Sequence, residues 1–148
     1  VGTCTGAISI EAAPYVTHVT AIERKSQRVT AAKKNIAANN QTETVTVEEA
    51  EAPNGLPRNA DVLFLGGSRN FESVLDHAVE TDVDRVVMNV SRVEPAGDAI
   101  EAFRERELLS AVLQVQVNDG YELAGATSFN ANNPVYVIVG RRDAGGLT

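Results

Sequence analysis

The sequence predicts an α/β fold built on a mostly parallel, doubly wound sheet. Strand-like and helix-like apolar periods alternate through most of the chain, and a Gly-Thr-Cys-Thr-Gly turn (Gly2–Gly6) opens the first passage into a helix. Repeated β-α-β units with right-handed crossovers give a parallel sheet. The last two apolar runs, Ala111–Val117 and Pro134–Gly140, leave no room for a crossover helix, so they are expected to pair antiparallel as a C-terminal hairpin.

The elements follow in order. Val1 reads as the last residue of a strand, and Ala7–Ala13 as a helix ending before Pro14. Val16–Ile22 alternates as a strand and ends at Glu23; Ser26–Asn39 is a helix with Val29, Ala32 and Ile36 on one face. Thr44–Glu48 is a short β-rich run stopped by Ala52-Pro53-Asn54-Gly55. Asp61–Leu65, ended by Gly66-Gly67, suits a strand buried on both faces. Phe71, Val74, Leu75 and Ala78 mark a helical stripe, Arg85–Val90 a strand, and Pro95–Arg106 a helix with Ala99, Ile100 and Phe103 inward. Residues 1–143 are expected to form one domain and 144–148 a disordered tail.

In this topology the first strand is central, between Val16–Ile22 and Asp61–Leu65, and only Val1 of it is present. Without it the neighbours would stand roughly 9–10 Å apart with unpaired backbone groups between them. The expectation is an N-terminally truncated domain that, expressed alone, is insoluble or molten.

Composition narrows the function. The chain has 148 residues and a net charge of −7, with no basic stripe, which argues against a nucleic-acid partner. No apolar run approaches the roughly 20 residues that span a bilayer, and no secretory signal is visible. The single Cys4 cannot form an internal disulfide, which fits a reducing cytoplasm. With one cysteine and two histidines at no ligand spacing, no metal site is expected; His18 and His77 read as structural. Lysines are few beside the acids and arginines, a surface suited to high salt.

Four elements follow successive strands. Gly2, Thr3, Cys4, Thr5 and Gly6 form a strand-to-helix turn that places backbone N–H groups at the sheet's carboxyl edge. Glu23, 17 residues after Gly6, can accept both ribose hydroxyls of an adenosyl group; it also reads as a solvated acid paired with Arg24. Glu51-Ala52 can meet an adenine, and Gly66-Gly67-Ser68 lies beside the reacting centre. Together they point to an adenosyl cofactor.

The string V-G-T-C-T-G-A-I-S-I-E-A-A, the acid Glu23 and Ala50-Glu51-Ala52-Pro53 resemble the glycine-loop, acidic-strand and G-D-A-P elements of class I S-adenosylmethionine-dependent methyltransferases, a Rossmann-like fold. Gly66-Gly67-Ser68 and the tail G-A-T-S-F-N-A-N-N-P-V (Gly125–Val135) resemble one subgroup, the cobalt-precorrin-6B C15-methyltransferases (decarboxylating) of cobalamin biosynthesis. The resemblance implies methylation of C15 of a tetrapyrrole with loss of the ring C acetate carboxyl as carbon dioxide. It implies S-adenosylmethionine as cofactor, a precorrin substrate and a homo-oligomer, a tetramer in the family. The implied cofactor contacts are Gly2, Thr3, Cys4, Thr5 and Gly6, Glu23 and Arg24, Glu51 and Ala52, and Gly66 and Gly67.

Two departures stand out. Cys4 replaces the family's middle glycine, and Asn118-Asp119-Gly120-Tyr121 replaces a stretch where the family often has arginines. Arg69 and Arg92 are the remaining candidates for carboxylate recognition, with Ser68, Ser91, Thr127 and Asn133 as further substrate-binding candidates. The rival readings are a methyltransferase of another small molecule, RNA or protein, a non-catalytic module on the same fold, and a nicotinamide-dependent oxidoreductase. The closing strand pair disfavours the last.

Overall fold

A computed structural model describes residues 1–67 and 69–143; Ser68 and the tail 144–148 lie outside the described residues. Strand β1 (Val19–Glu23) pairs parallel with β2 (Val45–Glu49), in register from Val19↔Val45 to Glu23↔Glu49. A second sheet runs in the order β3 (Val62–Leu65), β4 (Arg85–Val90), β8 (Val135–Arg141), β5 (Leu109–Val115). Strands β3 and β4 are parallel, whereas β8 is antiparallel to both β4 and β5.

Val1 and Gly2 join the two sheets. The Val1 nitrogen donates to Phe64 O at 2.6 Å, and Val1 O accepts from Gly66 N at 3.0 Å. On the other side, Gly2 N donates to Ile22 O at 2.8 Å. The two residues thus occupy the central position between β1 and β3 that the sequence assigns to the first strand's end.

Helices α1 (Ala7–Ala12) and α2 (Ser26–Ala38) cover β1 and β2 through a small core of Ala13, Ala21, Ala32, Ile36 and Val45. Helix α3 (Phe71–Glu80) buries Val74, Leu75 and Ala78, and α4 (Val93–Glu105) buries Ala96, Ala99, Ala102 and Phe103. These residues form the main core with Leu63, Leu65, Val86, Met88 and Ile138. Ile100, expected inward, is partly buried against it. Phe103 has no exposed surface, a burial that contributes about 1.5–3 kcal/mol. Its ring lies on Gly140, where an added Cβ would come within 2.8 Å of Phe103 Cδ1 and Cε1.

Several element ends lie one or two residues from the sequence reading, and three larger differences stand out. The first helix stops at Ala12, and Ala13–Tyr15 tighten into a 3₁₀ turn containing Pro14. Strand β1 starts at Val19 instead of Val16, because its ladder begins at the Val19↔Val45 pair and earlier residues have no partner there. The closing strands β5 and β8 do pair antiparallel, but they are not a simple hairpin. Between them, β6 (Asn118–Leu123) and β7 (Ala126–Ala131) form a separate antiparallel ribbon. Its turn, Ala124-Gly125, has φ of 51° and 78°, the double positive φ of a type I′ turn.

Candidate cofactor and acceptor site

The carboxyl ends of β1, β2 and β3 meet Gly2 and Cys4 around one open cavity of about 260 Å³. Its wall includes Glu23, Glu51, Ala52, Gly66, Gly67 and Arg69. This is the edge of a parallel sheet at which α/β folds bind ligands.

Glu23 organises the cavity. Its residue is only 4% exposed, yet no cation pairs with it among the described residues. Instead Cys4 N donates to its Oε2 at 3.1 Å and Lys25 N to its Oε1 at 3.0 Å. Two backbone donors fix the carboxylate plane and leave further lone pairs on both oxygens. Hydrogen bonds to a charged acceptor are about twice as strong as neutral ones, which compensates the burial. Ala50 N also donates to Glu23 O at 3.1 Å, tying the end of β2 to the end of β1.

The glycine turn is shaped for close approach. Gly6 sits at φ 88° with the backbone and Cβ of Ala32 3.5 Å from where its own Cβ would stand. Gly66 faces Gly2 O, which a Cβ would approach to 3.2 Å. Cys4 adopts φ 53°, the left-handed conformation that costs an L-residue roughly 1–2 kcal/mol. The backbone thus keeps a glycine's conformation with a side chain present.

Most of the sequence-predicted cofactor residues converge here: Gly2, Cys4, Glu23, Arg24, Glu51, Ala52, Gly66 and Gly67 line the cavity. Thr3, Thr5 and Gly6 build the turn behind it. Thr3 Oγ1 bonds Ser9 Oγ at 2.9 Å, and Thr5 O accepts from Asn35 Nδ2 at 2.8 Å. Of the substrate candidates, Arg69 lines the cavity, while Ser91, Arg92, Thr127 and Asn133 are exposed positions outside its wall. Ser68 lies outside the described residues. Sequence reasoning missed Val1, Ile22, Arg28, Ala50 and Asn70. The only signal for Arg28 was its place in the first turn of the helix after Glu23.

The cavity's charge is mixed. Arg24, Arg28 and Arg69 line it with Glu23 and Glu51, and none of the three arginines forms an ion pair among the described residues. No group of three or more metal-ligating side chains occurs among the described residues, and no helix there is long and apolar enough to cross a membrane.

Comparison with known proteins decides the family: the precorrin methyltransferase domain model matches residues 1–142. The chain belongs to that family. This precorrin methyltransferase domain is 59% identical over 140 residues to a probable cobalt-precorrin-6B C(15)-methyltransferase (decarboxylating) of Halobacterium salinarum, covering 95% of this chain and 75% of the relative. The namesake protein of Methanosarcina mazei is 32% identical over 151 residues, covering 97% of this chain and 82% of the relative. Among solved structures, precorrin-6y C5,15-methyltransferase of Geobacter metallireducens superposes with a TM-score of 0.79 at 26% identity, over 95% of this chain and 75% of that one. A precorrin 8W decarboxylase of Methanobacterium thermoautotrophicum gives a TM-score of 0.85 at 24% identity, over 95% and 78% of the two chains, a likeness of fold. The Rossmann-like methyltransferase fold expected from the sequence is borne out.

Proposed function

We propose that this domain transfers a methyl group from S-adenosylmethionine to C15 of cobalt-precorrin-6B, or its metal-free counterpart, with decarboxylation of the ring C acetate. The observation that carries the reading is the buried Glu23, aimed into a glycine-walled cavity at the sheet's carboxyl edge, in a chain 59% identical to a relative named for that reaction.

The residues present fit the cofactor. Glu23, pre-oriented by Cys4 N and Lys25 N, would accept the ribose hydroxyls; Glu51 and Ala52 would meet the adenine. The backbone of Gly66 and Gly67 would flank the reacting end, where a side chain would block approach. When bound, S-adenosylmethionine supplies an electrophilic methyl group on a sulfonium. The domain's own part is positional: it would hold donor and acceptor in line, so that an electron-rich carbon can displace the thioether without an activated side chain. In the decarboxylation, the electron pair of the carbon–carboxyl bond passes into the conjugated ring as carbon dioxide leaves, and a proton replaces the lost group. Arg28 and Arg69, which form no ion pair among the described residues, suit the acceptor's carboxylates.

The reading extends to a cytoplasmic homo-oligomer. The exposed Leu123 and Phe129 of the β6–β7 ribbon support self-association, and the single Cys4 supports a reducing compartment. The test is transfer of label from methyl-labelled S-adenosylmethionine to cobalt-precorrin-6B under anaerobic conditions. Label in the tetrapyrrole supports the reading; binding of S-adenosylhomocysteine with no labelled tetrapyrrole rejects this acceptor.

A further inference from the structure

Besides Glu23, the cavity wall holds a second polar side chain whose orientation the fold sets. Asn70 lines the cavity and is solvent-exposed. It is the N-cap of α3 at φ 52°, a left-handed conformation that Asn tolerates, yet its side chain makes no cap hydrogen bond. The amide reaches across to the chain after β2 instead, where Asn70 Nδ2 donates to Ala52 O at 3.5 Å.

That contact decides which way the amide faces. A carbonyl oxygen can only accept, so the N–H₂ end must face Ala52, and turning the amide over would set oxygen against oxygen. The bond takes one hydrogen of Nδ2. It leaves the other N–H, and Oδ1 accepts no hydrogen bond among the described residues. Ala52 is also where the adenine is assigned, so a base lying on Ala52 comes within reach of the Asn70 amide. The edge of adenine sets a donor, its 6-amino group, beside ring-nitrogen acceptors. The Glu51 carboxylate supplies acceptors alone, whereas an asparagine amide supplies one group of each kind, the match by which Asn reads adenine in nucleic acids.

We propose that Asn70 is a cofactor-specificity residue: its Oδ1 accepts from the adenine 6-amino group, and its remaining N–H donates to a ring nitrogen. Ala52 O holds the amide in the sense that selects amino over oxo. The inference rests on the methyltransferase reading's placement of the adenine and adds a residue to it. A 6-oxo purine would face Oδ1 with another acceptor, and the amide could turn to suit it only by losing the Ala52 bond.

The test is calorimetric titration of the protein with S-adenosylhomocysteine and with its 6-oxo counterpart, S-inosylhomocysteine. The ratio of the two Kd values reads the amide. Wild type should favour the adenosyl ligand by more than about tenfold, with Glu51 contributing to the preference. Asn70→Gly removes the side chain without straining a backbone at φ 52° and should lower the ratio roughly tenfold. A cavity merely loosened by the substitution would weaken both ligands alike; that unchanged ratio would overturn the proposal. Asn70→Asp keeps an acceptor but cannot donate to Ala52 O, and should lower the ratio less. Should Asn70→Gly fail to fold, an unchanged ratio in Asn70→Asp overturns the proposal equally. Wild-type protein that binds neither ligand would overturn the adenosyl reading itself, whereas adenosyl binding with an unchanged ratio removes only the part given to Asn70.

Discussion

Removing the Glu23 carboxylate should uncouple cofactor binding from the fold. In Glu23→Ala, Cys4 N and Lys25 N lose acceptors 3.1 and 3.0 Å away. Leaving two such donors unpaired costs about 1–3 kcal/mol each where water cannot reach them, so the variant should melt lower but remain folded. The larger effect is on the ligand. Two ribose hydrogen bonds to a charged acceptor, at roughly 1.5 kcal/mol each as a lower bound, sum to about 3 kcal/mol. At 1.4 kcal/mol per tenfold, Kd for S-adenosylhomocysteine should rise more than about 100-fold. Glu23→Gln, which keeps one oxygen but turns an amide N–H₂ toward a backbone donor, should fall between the two. Isothermal titration calorimetry on protein shown to be folded by circular dichroism reads both. A folded Glu23→Ala that binds within about threefold of wild type would refute the assignment of Glu23 to the ribose.

Other expectations follow from single contacts. Cys4→Gly relieves roughly 1–2 kcal/mol of left-handed strain at φ 53° against about 0.5–1 kcal/mol of added unfolded-state entropy, so denaturant unfolding should show a net gain of up to about 1.5 kcal/mol. A loss would show that the thiol packs usefully. Gly140→Ala drives a Cβ to 2.8 Å from the Phe103 ring and should destabilise by about 1–3 kcal/mol, partly restored by Phe103→Leu; additive losses would contradict that contact.

The parts of the fold legible in the sequence were those with one-sided burial. Val29, Ala32 and Ile36 on α2, and Val74, Leu75 and Ala78 on α3, were read from their spacing and are buried. Arg85–Val90 was read with its boundaries intact because its residues alternate against a packed face. The β6–β7 ribbon was not legible: every residue of β6 is exposed, so no period-two pattern marks it. Its Ala124-Gly125 turn also lacks the Asn-Gly or Asp-Gly signature of a type I′ hairpin. At the site, Glu23 and the glycines announced themselves by position at strand ends. Arg28 and Asn70 did not, because their relevance depends on which elements become neighbours in space.

The most direct test of the central claim is the mass of the tetrapyrrole product after anaerobic incubation of the protein with S-adenosylmethionine and cobalt-precorrin-6B. The account predicts a product that has gained one methyl group and lost one carbon dioxide, with S-adenosylhomocysteine formed in equal amount. Recovery of unchanged cobalt-precorrin-6B, from protein that binds S-adenosylhomocysteine, would contradict it.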